Sequence, residues 1–190
     1  MSANVLFIST ETIKQRSGIS NAVDPKQMEG AIKTAQDMFL EPALGSAFFA
    51  HLQTAISGGA LTPDETALIE NYITDVMLWA TMAELALPIT YQTFAKGVQQ
   101  KTAAESVAPT QQEVFRLMQH YKDRAEPYKQ RLINYLVANY IKFPLYWNYA
   151  VQSDTIHPEA NAYECPIYLA NGVENIHKNY LNGPANNQEA

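Results

Sequence analysis

Glu84 is the residue whose type and setting first raise the question of chemistry. It lies in TDVMLWATMAELALP, the most apolar stretch of the chain. A carboxylate buried in such a stretch would resist ionisation and suit general acid–base work, given a charge partner or a cleft. At about 100° per residue, however, Glu84 falls near Glu70 on a helical wheel, with Thr74 and Thr81 between them. That arrangement reads as a polar stripe, solvated or facing another subunit, and no charge partner is visible in the sequence. The four histidines, His51, His120, His157 and His177, are scattered. His120 with Asp123 and His177 with Glu174 are two-residue coincidences, whereas a metal site draws on three or four ligands. Cys165 is the single cysteine, so it forms no internal disulfide and no zinc site alone. There is no GxSxG, P-loop, GxGxxG or HExxH motif. The residues therefore predict no catalytic group, no metal and no cofactor.

Two other sets of side chains point to surfaces. Residues 96–142 carry Lys96, Lys101, Arg116, Lys122, Arg124, Lys129, Arg131 and Lys142 against Glu105, Glu113, Asp123 and Glu126. This mild surplus fits a solvated helix face, a surface near DNA, or a surface for an acidic segment. Residues 151–190 supply such a segment, with Asp154, Glu159, Glu164, Glu174 and Glu189 against Lys178 alone. Strong nucleic-acid binding needs many clustered phosphate contacts, and the basic residues are too diluted for that. The 11 tyrosines crowd toward Tyr135, Tyr140, Tyr146 and Tyr149, beside Trp147. They divide between core and interface, where tyrosine and tryptophan are enriched.

The whole chain has 190 residues, 47% hydrophobic, with net charge −6 and pI about 5.2. Such a chain buries one sizeable core and is neither disordered nor a nucleic-acid magnet overall. MSANVLFISTE lacks the basic start and apolar run of a signal peptide. The apolar run 76–89 is interrupted by Glu84 and is short for a bilayer span, which needs roughly 18 or more residues. The expectation is a soluble intracellular protein without a membrane role.

The elements that would position these side chains are helices. In DPKQMEGAIKTAQDMFLEPALG, Met28, Ala31, Ile32, Ala35, Met38 and Phe39 share one helical face. Asp24 is the N-cap, Pro25 suits the first turn, and Gln27 completes a capping-box pattern. Glu29, Lys33 and Asp37 line the outer face at steps of four, with opposite charges facing each other. The helix should stop near Glu41-Pro42, with Gly45 closing the turn.

Before it, Val5–Ile8 is a short strand or extended arm, and Ser9–Arg16 a small helix ended by Ser17-Gly18. After it, Ser46 is placed to cap a helix running to about Ile56, broken at Ser57-Gly58-Gly59. Thr62-Pro63-Asp64-Glu65 starts a long central helix that Pro88 should end. Residues 90–109 read as a long loop or loose hairpin, of a length that is functional or mobile in compact domains. Thr110-Gln111-Gln112-Glu113 begins a last long helical pattern, with a kink or a break expected near Pro127.

Beyond Val151, Tyr163, Cys165, Ile167 and Leu169 alternate like an edge strand, and Val173, Ile176, Tyr180 and Leu181 fit a short amphipathic helix. The division predicted is a helical domain over 1–150 and a C-terminal docking arm over 151–190. Tyr163, Ile167, Leu169, Ile176 and Tyr180 are the candidate docking residues of the arm. Lys96 and Lys101 are candidates in the 90–109 loop for facing a lumen or a ring partner.

ISTETIKQRSGI, AIKTAQDMFLEPALGSAFFAHL, TPDETALIENYITDVMLWATMAEL and QRLINYLVANYIKFPLY together resemble the small head–tail connector (adaptor, or head-completion) proteins of tailed bacteriophages. The likeness is nearest to those of crAss-like and related phages of Bacteroidetes, and it covers roughly Val5 to Trp147. It implies an all-α bundle that assembles as a ring, usually of twelve copies, beneath the portal. The ring extends the DNA channel without reading DNA sequence, presents a surface to the next tail component, and is no enzyme. Such a protein belongs to the virion and is assembled in the host cytoplasm.

The residues themselves agree with this implication. A channel should not grip phosphates. A closed ring needs heterologous contacts, and a lone strand in an arm can supply them by adding to a neighbour's strand. The rivals are an adaptor module that binds a host protein through the arm, and a helical enzyme using Glu84 or a histidine. The Asp24–Gly45 helix should set its apolar face on the central helix and leave its charged face for the next subunit.

Overall fold

The computed structural model describes residues 5–94, 97–100, 109–147 and 156–158. The fold is all-α, a helical bundle around one long central helix. The helices are α1 (Thr10–Ser17), α2 (Pro25–Ala35), α3 (Glu41–Leu44), α4 (Ser46–Gly58), α5 (Pro63–Leu68), α6 (Thr74–Thr90), α7 (Gln111–Ala138) and α8 (Pro144–Trp147). A π-helical turn at Gln36–Leu40 joins α2 to α3, and a second at Ile69–Ile73 joins α5 to α6. Between α6 and α7 an antiparallel hairpin pairs β1 (Tyr91–Phe94) with β2 (Gly97–Gln100), Tyr91 opposite Gln100. The loose-hairpin reading of this region therefore holds where it is described.

Helix starts follow local chemistry. Ser9 caps α1 through the Thr12 amide, and Gly18 ends it in the left-handed conformation at φ 71°. Thr62 and Glu65 close a reciprocal capping box on α5, as Thr110 and Glu113 do on α7. Asp24 caps α2 through the Lys26 amide. Gln27 does not complete a box there. Its side-chain amide instead donates to the Pro88 carbonyl at 3.2 Å and ties the start of α2 to the end of α6.

The π turn rewrites the face expected for the 24–45 helix. Met28, Ala31, Ile32 and Ala35 are buried as the period predicts. One extra residue in the turn then shifts the phase, so Met38 is 59% exposed while Gln36 and Leu40 are wholly buried. The turn ends just ahead of Pro42, with the Glu41 amide reaching back to the Gln36 carbonyl. A proline at 42 offers no amide to Met38 and crowds its carbonyl, and the wider turn relieves both. Below the turn, α2 lies against α6, as expected, and Lys33 pairs with Asp37 on the outer face.

α5 and α6 form one continuous helix over Pro63–Thr90, 28 residues long. It passes Pro88, where a stop was expected, because that proline sits in the final turn. Thr90 Oγ1 donates to the Ala86 carbonyl and the Tyr91 amide to that of Leu87, completing the turn. This helix is long and apolar enough to cross a membrane by length and composition, against the expectation drawn from the 76–89 run. Its apolar surface is largely taken up inside the bundle, however. Ile73, Val76, Met77, Ala80, Ala83 and Leu85 are fully buried, with α7, α2 and α1 packed around them.

α7 is likewise unbroken through Pro127. Ala125, Leu132, Ile133 and Leu136 are buried on both sides of the proline. Packing thus offsets the lost hydrogen bond, while Pro127 and Asp123 face solvent. Phe143 and Tyr146 close the core against Phe48 of α4, at ring-centroid distances of 5.7 and 6.3 Å.

Candidate interaction surface

Tyr72, Asp75 and Trp79 follow at steps of three and four from the end of the second π turn into α6, so they lie along one stripe of the central helix. All three are half-buried. Antiparallel to them runs α7, whose Tyr121, Tyr128 and Tyr135 repeat every seven residues, as do Arg124 and Arg131. Tyr135 stacks on Tyr72 at 4.1 Å between ring centroids and 20° between planes. Tyr121 lies similarly on Trp79 at 6.1 Å and 23°. On the solvent side, the Arg131 guanidinium sits 4.8 Å from the Tyr72 ring and that of Arg124 sits 4.3 Å from the Trp79 ring. From the other flank, Arg16 of α1 reaches Asp75 at 2.6 Å.

Three arginines thus meet one stripe. Each stacked guanidinium gains about 0.5–1 kcal/mol from the ring beneath it, and its outward N–H edges stay available to an anion. Asp75 is the one carboxylate on the stripe.

The opposite edge of α7 is organised differently. Lys122 lies 3.9 Å from Glu84 and over the Phe39 ring. Glu84 therefore has a charge partner that the sequence did not reveal, and its setting is an ion pair at a helix–helix seam. His51 contacts Glu65, with Nε2 and Oε1 2.6 Å apart. Glu65 also accepts from the Thr62 amide and hydroxyl. Burial is the largest single influence on Glu65 and favours the acid form. The Thr62 and His51 hydrogen bonds together outweigh it and hold the carboxyl below its usual range. This is a structural knot joining α4 to α5. His120 lies beside Tyr121, and Asp123 accepts from Gln119 instead. Among the described residues, no group of three or more His, Cys, Asp or Glu side chains could hold a metal.

Gly45 marks a third feature. At φ 76° and ψ 148° it occupies a region reserved almost entirely for glycine. The chain beyond α8 returns here. The Ser46 amide donates to the Ile156 carbonyl at 3.0 Å, and the Ile156 amide donates to Ser46 Oγ at 3.1 Å. Ser46, expected to cap α4, instead lies inside its first turn and hydrogen-bonds Ile156 and Glu41. Pro158 packs so closely that a Cβ at Gly45 would lie 2.8 Å from its Cδ. Residues 156–158 are therefore held to the α3–α4 corner.

The predicted docking residues Tyr163, Ile167, Leu169, Ile176 and Tyr180 lie outside the described residues, as do Lys96, Lys101, Cys165 and His177. The arginine stripe was missed as a unit. Its signal was present in the seven-residue repeats of Arg124–Arg131 and Tyr121–Tyr128–Tyr135, which pair only once α7 is laid against α6.

Fold and surface together define a helical bundle with one cationic, aromatic-backed face and a C-terminal chain anchored at its corner. Residues 40–155 match DUF6712, a family of unknown function, and the chain belongs to that family. The match runs from the end of the first π turn through α8 to the residue before Ile156. No curated protein and no solved structure matches the chain.

Proposed function

We propose that this chain is a structural subunit of a tailed-phage virion, a head–tail connector that forms a ring below the portal and extends the DNA channel. One observation carries the reading. The four segments that resemble connector proteins, 8–19, 31–52, 62–85 and 130–146, supply most of one buried hydrophobic cluster, to which Ile13, Ile32, Leu52, Met77, Leu132 and Tyr146 belong, with Phe7, Met28 and Ala125 added from outside them. The resemblance thus follows a packed unit and not a scatter of helical patterns.

Ring assembly requires two different surfaces on each subunit. The stripe of Arg16, Arg124 and Arg131 and the exposed apolar side chains Met38, Ile141 and Leu145 are suitable candidates. Modest charge elsewhere suits a lumen through which DNA slides without being gripped. On this reading the subunit acts by assembly with its own copies, the portal and the next tail component, and performs no turnover. The test is co-expression with a tailed-phage portal protein from the same genome. A ring of this chain on the portal axis supports the proposal, and a chain that never joins the portal overturns it.

A further inference from the structure

We infer that the stripe of Arg16, Arg124 and Arg131 is the docking site for the chain's own acidic C-terminal segment, residues 159–190. The same chain carries a built cationic face and, after its anchored residues 156–158, an acidic segment. Arg131 and Arg124 are held over Tyr72 and Trp79, so less side-chain freedom is lost when they engage a carboxylate. They stand seven residues apart on α7, about 10.5 Å along the axis. Arg16 adds a third guanidinium across the stripe. Its bond to Asp75 uses one amino group, and its side chain remains about half exposed.

The segment that follows Pro158 carries Glu159, Glu164, Glu174 and Glu189 with Lys178 as its only cation. Its root is fixed by the Ile156–Ser46 hydrogen bonds and by Pro158 against Gly45. From there, an extended chain reaches about 3.3 Å per residue. Its reach thus exceeds the length of the 28-residue central helix, and the stripe of the same subunit lies within its span. A bare polyanion such as nucleic acid fits less well, because strong binding draws on many clustered phosphate contacts and the stripe offers three arginines. The inference holds whether or not the chain sits below a portal.

The test is amide hydrogen exchange on the full chain. In the wild type, exchange across 159–190 should be slowed about tenfold relative to a synthetic peptide of that sequence. Arg124→Glu with Arg131→Glu should return it to the peptide's rate, while α2 and α6 keep their protection. Adding Glu159→Arg, Glu164→Arg and Glu174→Arg to that variant should restore the slowing, which a merely damaged fold could not do. The milder pair Arg124→Gln and Arg131→Gln should give an intermediate rate, covering the case in which the reversal unfolds the bundle. A segment that exchanges at the peptide's rate in the wild type, or that keeps its protection in both arginine variants, overturns the inference. Loss of double-stranded DNA binding in the arginine variants with unchanged exchange at 159–190 also overturns it, in favour of a phosphate surface.

Discussion

Replacing Gln36 should destabilise the bundle far more than its place in a polar-looking AQD sequence suggests. Gln36 is wholly buried on the π turn. Its carbonyl oxygen accepts from the Phe7 amide at 2.9 Å, and its amide donates to the Val5 carbonyl at 3.1 Å. The side chain thus pairs with the N-terminal segment as a neighbouring strand would, and it holds Phe7 and Ile8 in the core. Gln36→Leu keeps much of the volume and removes both partners. A buried backbone group left without a hydrogen bond costs about 1–3 kcal/mol. The Phe7 amide bears this in full, and the less buried Val5 carbonyl bears part of it. The expected loss is about 2–4 kcal/mol by urea unfolding, with faster hydrogen exchange at residues 5–9.

Gln36→Glu adds a check on sign. Its acid form can accept from Phe7 and donate to Val5, as glutamine does. Its ionised form is buried against a carbonyl, so its folded pKa is raised. The variant should therefore gain stability relative to wild type as pH falls through that raised value, because the folded state then binds more protons. A Gln36→Leu protein within about 0.5 kcal/mol of wild type, the scatter of ordinary surface changes, would refute the reasoning.

Gly45→Ala combines a disfavoured backbone region with the Pro158 contact. It should cost about 1–3 kcal/mol in thermal or urea unfolding and should speed exchange at the Ser46 amide. Met38→Lys should stay within about 0.5 kcal/mol of wild type, while Leu40→Ala costs about 2–5 kcal/mol. The opposite ranking would mean that the π turn does not shift the helix phase. Glu65 has a lowered folded pKa, so its contribution is complete above its unfolded value of about 4.5 and is lost as pH falls through the lower folded value. Urea titrations should show that acid loss in wild type and a shallower one in Glu65→Gln. Thr62→Ala removes the other half of the box and should cost about 1 kcal/mol.

Much of the fold was legible because it follows local rules. The capping boxes at Thr62 and Thr110, the glycine stops at Gly18 and Gly59, and the buried faces of α2 and α6 come from residue type and spacing alone. The failures share a cause. Met38 was placed inside and Gln36 was passed over because periodicity assumes 3.6 residues per turn, and a π turn adds one. Pro88 was read as a stop and Pro127 as a kink or a break because their penalty is local, whereas the packing of Leu85 and Leu132 that offsets it is tertiary.

The surface was less legible still. Arg124 and Arg131 were noted only as members of a diluted basic series. What makes them a unit is their register against Tyr72 and Trp79, set by how two distant helices meet. Glu84 looked solitary for the same reason, since Lys122 reaches it from the other helix. The return of Ile156 to Ser46 spans 110 positions and leaves no local trace.

The connector reading is tested most directly by imaging the particle that forms when this chain is co-expressed with a tailed-phage portal protein from the same genome. A closed ring of this chain stacked coaxially on the portal, with an open central channel, is the predicted result. A portal that assembles bare while this chain remains folded and apart would contradict it.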